Sequence, residues 1–278
     1  MAITFLFLGV LLFAAWALGE PRLRAWRRER LRRRPFPEAW RKLLRRRVPL
    51  VRRLPAELQR QLKGHIQVFL AEVPIIGCRG LVVTDEVRVT VAALASLLLL
   101  DGGAPGSSAR GYANLRQVLV YPGAFQVDRV HLEAGGIVQD RRLALSGESW
   151  SQGQVILSWD DALQGAAVPD DGRNVVIHEF AHQLDQLNGP ANGAPWIPSP
   201  AERARWAEVM GAEFEALRRR IGAGDDDPLI SPYGATDPAE FFAVVSEVFF
   251  EQPRPLAEAH PALYAVLSGY YRVDPLGW

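Results

Sequence analysis

The stretch RNVVIHEFAHQLDQLNG, residues 173–189, predicts one helix that passes through the interior of the protein. Its apolar residues recur at helical spacing, namely Val175, Ile177, Phe180 and Leu184. A cap at Asp171 and the Asn-Gly-Pro sequence at 188–190 place the ends of the helix near 172 and 188. A polar side chain on a helix buried in this way needs a partner inside the protein.

Two of the five histidines share one face of this helix. His178 and His182 are four residues apart, which places their Cβ atoms roughly 5 to 6 Å apart and suits two imidazoles on one metal ion. Glu179 lies about 100° further round the helix, too far to complete the ligand set but close enough to act on water at the metal. The alternative is a pair of neutral core histidines. The HExxH spacing among apolar residues favours the metal site.

A catalytic zinc site needs a third protein ligand. One known extension of HExxH has a glycine three residues after the second histidine and a third histidine six residues after it. This chain has Asp185 and Asn188 at those positions, so that pattern fails. The other histidines, His65, His131 and His260, stand alone and are expected to be structural.

A carboxylate on another helix is the remaining source of a ligand. The stretch YGATDPAEFFAVVSEVFF, residues 233–250, predicts a core-facing helix on which Glu240 and Glu247 share a face. An acid among so many apolar residues needs a cation beside it. We expect Glu240 to be the third ligand. Glu247 is expected to orient a histidine, and Asp185 is a rival for that role because it shares the face of the histidine pair.

The charges of the chain are distributed unevenly. Residues 21–53 contain fifteen basic and two acidic side chains, whereas the formal charge of residues 54–278 is about −11. The single cysteine, Cys78, excludes an intramolecular disulfide and a cysteine-rich zinc site. The basic segment therefore needs an explanation separate from that of the body.

The N-terminal sequence predicts a membrane anchor. Residues 2–19 contain no charged side chain, and an eighteen-residue helix just spans a hydrocarbon core of roughly 30 Å. We expect a transmembrane helix at 2–19, a basic juxtamembrane segment at 20–53 that meets anionic lipid headgroups, and a soluble domain at 54–278 on the cytoplasmic side. A cleaved signal peptide and a nucleic-acid-binding arm are alternatives, and the second is the weaker.

The body is predicted to be α+β, mostly helical with a small sheet. Helices are expected at about 55–73, 84–100, 172–188, 200–221, 238–250 and 259–271. Caps are Thr84 or Asp85 for the second helix and Thr236 or Asp237 for the fifth. Strands are expected at QVLVYP and QVILSW, and the second is a candidate sheet edge for pairing with an extended peptide.

Five ordered blocks, covering the chain from about residue 54 to its end, resemble the MtfA proteins. This family, named for Mlc titration factor A, comprises bacterial zinc peptidases whose catalytic core is related to anthrax lethal factor. The blocks are TDEVRVTVAA, VLVYPGAF, SGESWSQGQVILSWDD, NVVIHEFAHQLDQLNG and YGATDPAEFFAVVSEVFFEQP.

The resemblance implies a zincin-like (gluzincin) metallopeptidase fold and a role for each matching residue. It implies Zn²⁺ ligands at His178, His182 and Glu240, a general base at Glu179 and an assisting side chain at Tyr233, which without the family would read as an aromatic packed on the core. The activity it implies is zinc-dependent and aminopeptidase-like, on a peptide or protein substrate. With the predicted anchor, the protein would be a single-pass protein of the bacterial inner membrane.

The family also implies a different function. Its best-known member is soluble and binds the repressor Mlc, so the alternative is a regulatory protein that sequesters a transcriptional repressor with little or no turnover. The anchor and arginine cluster depart from that member and leave the partner open. Nucleic acid is not an expected partner.

Overall fold

A computed structural model of the protein describes residues 19–101, 111–132, 138–145, 147–150, 153–225 and 227–278. Most of these residues are helical. The helices are α1 (19–32), α2 (Glu38–Arg47), α3 (Ala56–Glu72), α4 (Asp85–Leu97), α5 (Trp159–Ala167), α6 (Val175–Asp185), α7 (Pro200–Gly222), α8 (Pro238–Glu251), α9 (Pro253–Ala259) and α10 (Pro261–Tyr271). Short 3₁₀ turns lie at Pro49–Arg52, Gln186–Asn188, Pro232–Ala235 and Pro275–Gly277.

A small sheet completes the fold. The strands are β1 (Ile75–Gly77), β2 (Gln117–Tyr121), β3 (Phe125–Leu132), β4 (Val138–Leu145), β5 (Gly147–Trp150) and β6 (Gln154–Ser158). The first sheet has the order β1-β2-β6-β5, in which β5 pairs antiparallel with β6 and the other pairs are parallel. Strands β3 and β4 form a separate antiparallel pair. Val155, Ile156 and Leu157 of β6 are all buried, as expected for an interior strand covered on both faces.

Helices α6 and α8 pack against each other in the core. Every residue of α8 from 241 to 251 is buried. Phe180 of α6 packs against Tyr112, with ring centroids 4.7 Å apart, and Tyr271 stacks on Phe249 of α8 at 5.4 Å. The polar side chains between these two helices are therefore held by a rigid apolar surround.

The predicted α+β class, mostly helical with a small sheet, is confirmed. The helix expected at 259–271 is present as α10, which begins at Pro261, whereas α9 before it was not expected. One detail was wrong. The strand QVILSW is not a sheet edge, because β5 covers its outer side.

The basic N-terminal segment packs on the body of the protein. The guanidinium of Arg28 donates two hydrogen bonds to the carboxylate of Glu72, from Nε to Oε1 and from Nη2 to Oε2, each 2.8 Å long. The aliphatic part of Arg32 packs against Gly64, where a side chain would leave too little space. Before Leu54, core side chains are Phe36, Leu44, Val48, Leu50 and Val51. Residues 36–53 thus share one core with the body, although the sequence assigns them to a separate basic segment.

The localisation predicted from the sequence must be corrected. No helix in the part of the chain that the structure describes is long and apolar enough to cross a membrane. Helix α1 itself carries six arginines, which are costly in hydrocarbon. Of the expected span at 2–19, residues 2–18 lie outside the described ranges. The prediction of a single-pass inner-membrane protein with a cytoplasmic catalytic domain, bound to anionic lipid headgroups, is therefore withdrawn.

Candidate metal centre

Three side chains converge between α6 and α8. His178 and His182 extend from α6, and Glu240 extends from the first turn of α8. Oε2 of Glu240 lies 2.9 Å from Nε2 of His178 and 3.3 Å from Nε2 of His182. One potential ligand atom from each residue lies within 4.8 Å of the others, so a single cation placed between them would contact all three.

Helix caps fix the position of this cluster. Helix α6 begins at Val175, because Oδ1 of Asn174 accepts the N–H of Ile177; the cap expected at Asp171 was wrong. Helix α8 is capped by Asp237, one of two predicted candidates, whose Oδ1 accepts the N–H groups of Ala239 and Glu240. Both caps lie within a turn or so of a cluster residue, so local sequence sets the direction in which each side chain of the cluster points.

The chemistry of the donor set fits a divalent metal. Nδ1 of His178 lies 2.8 Å from Oε1 of Glu247. When this nitrogen carries the proton and donates it to Glu247, the lone pair of Nε2 faces the carboxylate of Glu240. Two lone pairs that face each other inside a protein require a cation between them. Two imidazoles and a carboxylate form a common ligand set of catalytic zinc.

The electrostatics of the cluster agree with a cation site. Burial lowers the pKa of His178, but hydrogen bonds to Glu240 and Glu247 outweigh it and raise that pKa well above the ordinary value. Burial raises the pKa of Glu240, but hydrogen bonds from His178 and His182 outweigh it and hold that pKa well below the ordinary value. The pocket thus favours positive charge on the ring of His178 and negative charge on Glu240.

Glu179 lies buried beside the cluster. Its Oε2 has no hydrogen-bond partner among the described residues. Burial raises its pKa to about 7, although the charges of His178 and His182 lower it. A carboxyl group with that pKa can accept and release a proton near neutral pH, which is the property of a general base.

Tyr233 lies at the open side of the cluster, on the 3₁₀ turn Pro232–Ala235. Its ring centroid is 5.9 Å from that of His178, and 51% of the residue is exposed. This exposure argues against the alternative that Tyr233 is an aromatic packed on the core. Its side chain faces both the cluster and the solvent.

The two candidates for orienting a histidine have different contacts. Glu247 contacts His178 directly. Asp185 is fully buried, and its Oδ2 accepts the N–H groups of Asn192 and Gly193 at 2.7 Å each. Asp185 therefore fixes the loop after α6, and its Oδ1 has no partner in the described ranges.

The isolated histidines have other surroundings. His260 pairs with Glu213, 2.9 Å from Nδ1 to Oε2, and burial lowers the pKa of His65 to about 4. His131 lies among residues whose side chains the structure does not describe. Within the ranges that the structure covers, the only cluster suited to a metal is that of His178, His182 and Glu240.

Two polar residues near the cluster were missed in the sequence. Asn174 and Glu251 are buried and hydrogen-bonded to each other, Nδ2 to Oε1 at 2.9 Å. Burial raises the pKa of Glu251 to about 8, although the hydrogen bond from Asn174 lowers it. The available signals were an asparagine three residues before Ile177 and a second acid four residues after Glu247.

A histidine pair and a carboxylate around one point, with a buried carboxyl group beside them, define a candidate metallohydrolase. Comparison with known families narrows this class. The model for the glucose-regulated metallo-peptidase M90 family matches residues 23–272, and the chain belongs to that metallopeptidase family.

Similar proteins agree with this membership. The chain is 35% identical to Mlc titration factor A of Pectobacterium atrosepticum over 231 residues, which cover 82% of this chain and 84% of that protein. Mlc titration factor A of Serratia proteamaculans is also 35% identical, with 82% and 85% covered. An uncharacterized protein of Synechocystis is 39% identical over 263 residues, 94% of each chain. The resemblance to the MtfA family seen in the sequence is confirmed.

Proposed function

We propose that this protein is a zinc-dependent peptidase with aminopeptidase-like activity, whose zinc ligands are His178, His182 and Glu240. The observation that carries the proposal is the convergence of these three side chains from α6 and α8 within 4.8 Å. Membership of a metallopeptidase family supports peptide bonds as the target. The HExxH helix and the glutamate on a second helix match the gluzincin arrangement, and the acidic body favours peptides with a free amino terminus.

The residues around the cluster suit peptide hydrolysis. Zinc in such a site acts as a Lewis acid on a peptide carbonyl and on water. Glu179, with its pKa raised to about 7, takes the proton of the attacking water and passes it to the leaving amine. Tyr233, close to His178 and half exposed, donates a hydrogen bond to the oxygen on which negative charge develops.

Strand β5 is the best candidate to align the substrate. It is one of the two edge strands of the first sheet, with β1 at the other edge, and it lies against α6. An extended peptide can add to such an edge through main-chain hydrogen bonds. Because β6 is covered, β5 takes the role that the sequence analysis assigned to QVILSW.

The experiment uses the full chain. Its zinc content is measured, and its cleavage of a peptide library is followed. We expect one zinc per chain and cleavage that stops on chelation. Glu179→Gln should lower kcat by roughly 10² to 10⁴-fold with zinc retained, and Tyr233→Phe by roughly 10² to 10³-fold. Glu208→Gln, an exposed acid on α7, is the matched control and should cleave as the wild type does. Unchanged cleavage by Glu179→Gln would contradict the assignment.

The names of the relatives favour a second candidate function. The name Mlc titration factor A suggests that this chain, like those relatives, captures a transcriptional repressor with little or no turnover. Binding of purified Mlc to the wild type and to Glu179→Gln separates the two ideas. Stoichiometric binding by both, with no cleavage of any peptide by the wild type, would favour the regulatory function.

A further inference from the structure

Two carboxylates one turn apart on α8 hold the start of α6. Glu251 accepts the N–H of Arg173 at 3.1 Å and the amide Nδ2 of Asn174 at 2.9 Å. Glu247 accepts the backbone N–H of Asn174 and lies 2.8 Å from Nδ1 of His178. Each of the four carboxylate oxygens therefore has one nitrogen partner. We call Glu247, Glu251 and Asn174 the carboxylate clamp.

Asn174 connects the two acids of the clamp. Its Oδ1 caps α6, and its carbonyl accepts the N–H of His178 at 2.9 Å. Its Nδ2 also donates to the carbonyl of Gly165. All of its polar groups are thus engaged, and the residue is almost completely buried. A change at Glu251 therefore reaches Glu247 through a residue that has no free hydrogen-bonding group with which to compensate.

Stability alone does not account for this arrangement. Like charges one turn apart on a helix repel, and burial in an apolar surround makes each charge more costly; burial and the charge of Glu247 accordingly raise the pKa of Glu251. A well-packed apolar residue at position 251 would avoid that cost. The clamp does have a geometric consequence: it fixes the rotation of α6 relative to α8, and the proposed ligands are divided between these helices.

We propose that Asn174 and Glu251 are positioning residues of the metal centre, which act through Glu247 to hold the ring of His178 with Nε2 directed at the metal. This inference rests on the proposed zinc site. Outer hydrogen-bond partners of metal-bound histidines typically change metal affinity by about 10 to 100-fold when they are mutated. Glu251 lies about 16 Å along α8 from Glu240, so its effect must be transmitted.

Two substitutions test the clamp in the full chain. Glu251→Gln leaves one acceptor oxygen for two donors, the N–H of Arg173 and the amide of Asn174. Its new NH₂ group then faces one of these donors. Asn174→Ser keeps a helix cap and the backbone N–H but removes the amide donor. We expect both variants to bind zinc about tenfold more weakly in competition with a chromophoric chelator. The visible spectrum of the cobalt(II)-loaded protein should shift, because the ring of His178 changes orientation.

The matched control is Ser246→Ala, one residue before Glu247. Ser246 is fully buried and accepts a hydrogen bond from the hydroxyl of Tyr271 at 2.7 Å, away from the clamp. Its removal should lower Tm while zinc affinity stays within about twofold and the cobalt spectrum is unchanged. Comparison with this control separates positioning from a general loss of stability.

The outcomes distinguish this inference from the proposed function. If both clamp variants bind zinc within about twofold of the wild type with the same cobalt spectrum, the inference is overturned and the peptidase proposal stands. If they bind weakly while the wild type cleaves no peptide, the peptidase proposal fails and the clamp stands. A wild type that binds no zinc overturns both. Should Glu251→Gln fail to fold, Asn174→Ser decides.

Discussion

Replacing Glu247 by glutamine should weaken the metal centre in a way that the same change at Asp185 does not. Glu247 contacts His178 and the backbone N–H of Asn174 with different oxygens. Glutamine has one oxygen for these two donors. If that oxygen stays on Asn174, the new NH₂ group faces Nδ1 of His178 and forces the tautomer that carries its proton on Nε2, where the metal should bind.

The size of the effect follows from these contacts. Leaving a buried donor unsatisfied costs about 1 to 3 kcal/mol. A loss of metal affinity of about 10 to 100-fold, typical of such outer partners, corresponds to roughly 1.4 to 2.7 kcal/mol. Both figures agree at about 2 kcal/mol. We therefore expect Glu247→Gln to bind zinc roughly thirtyfold more weakly.

Asp185→Asn is the matched comparison. The Oδ2 of Asp185 already accepts both loop N–H groups, and its Oδ1 has no partner in the part of the chain that is described. An asparagine can keep both hydrogen bonds and place its NH₂ group where the unpaired oxygen lies. Zinc affinity should stay within about threefold of the wild type.

The assay is a competition titration with a chromophoric chelator, and urea unfolding of the metal-free proteins checks their folding. Equal loss of zinc affinity in Glu247→Gln and Asp185→Asn would refute the reasoning, because it would show that contact with His178 does not matter. An unaffected Glu247→Gln protein would refute it equally.

Three further predictions concern stability. Gly193→Ala should destabilise the fold by about 2 to 4 kcal/mol in urea unfolding, because φ is +74° and the new Cβ would lie 2.3 Å from the carbonyl oxygen of Pro238. The hydrogen bond from His260 to Glu213, with the charge of Asp227, raises the pKa of His260. This stabilisation is complete below the unfolded pKa of about 6.5 and is lost as pH rises through the folded value, so His260→Gln should lower Tm more at pH 6 than at pH 9. Zinc at about 100 times its Kd should raise Tm by roughly 5 to 10 °C, and a chelator should reverse the change.

The residues of the metal cluster could be predicted from their spacing in the sequence. His178 and His182 share a face because they are one turn apart, and this relation holds in any helix. Glu240 could be chosen because an acid in an apolar helix needs a cation. Neither argument needs the tertiary structure. The structure adds that α6 and α8 bring all three side chains to one point.

Relations between elements were harder to predict. The choice between Glu247 and Asp185 depends on the rotation of α8 about α6, which no spacing within one helix reveals. The position of β6 depends on its pairing with β5, and a run of apolar residues does not specify its neighbours. The arginines near the N terminus gave a strong charge signal, but charge alone does not distinguish lipid phosphates from carboxylates such as Glu72.

The charges between α6 and α8 explain why a divalent ion suits this site better than a single proton does. Glu247 and Glu251 accept N–H groups at the start of α6, where the helix dipole is positive, although burial still raises the pKa of Glu251 to about 8. Glu240 instead faces the imidazoles, and Glu179 has an oxygen without a donor in the described residues. The charge of Glu240, and that of Glu179 when it is ionised, thus remain for a cation to balance. The negative charges of Glu240 and Glu247 contribute to the raised pKa of both His178 and Glu179, although burial is the larger cause for Glu179, and a cation bound at the cluster would offset the same charge.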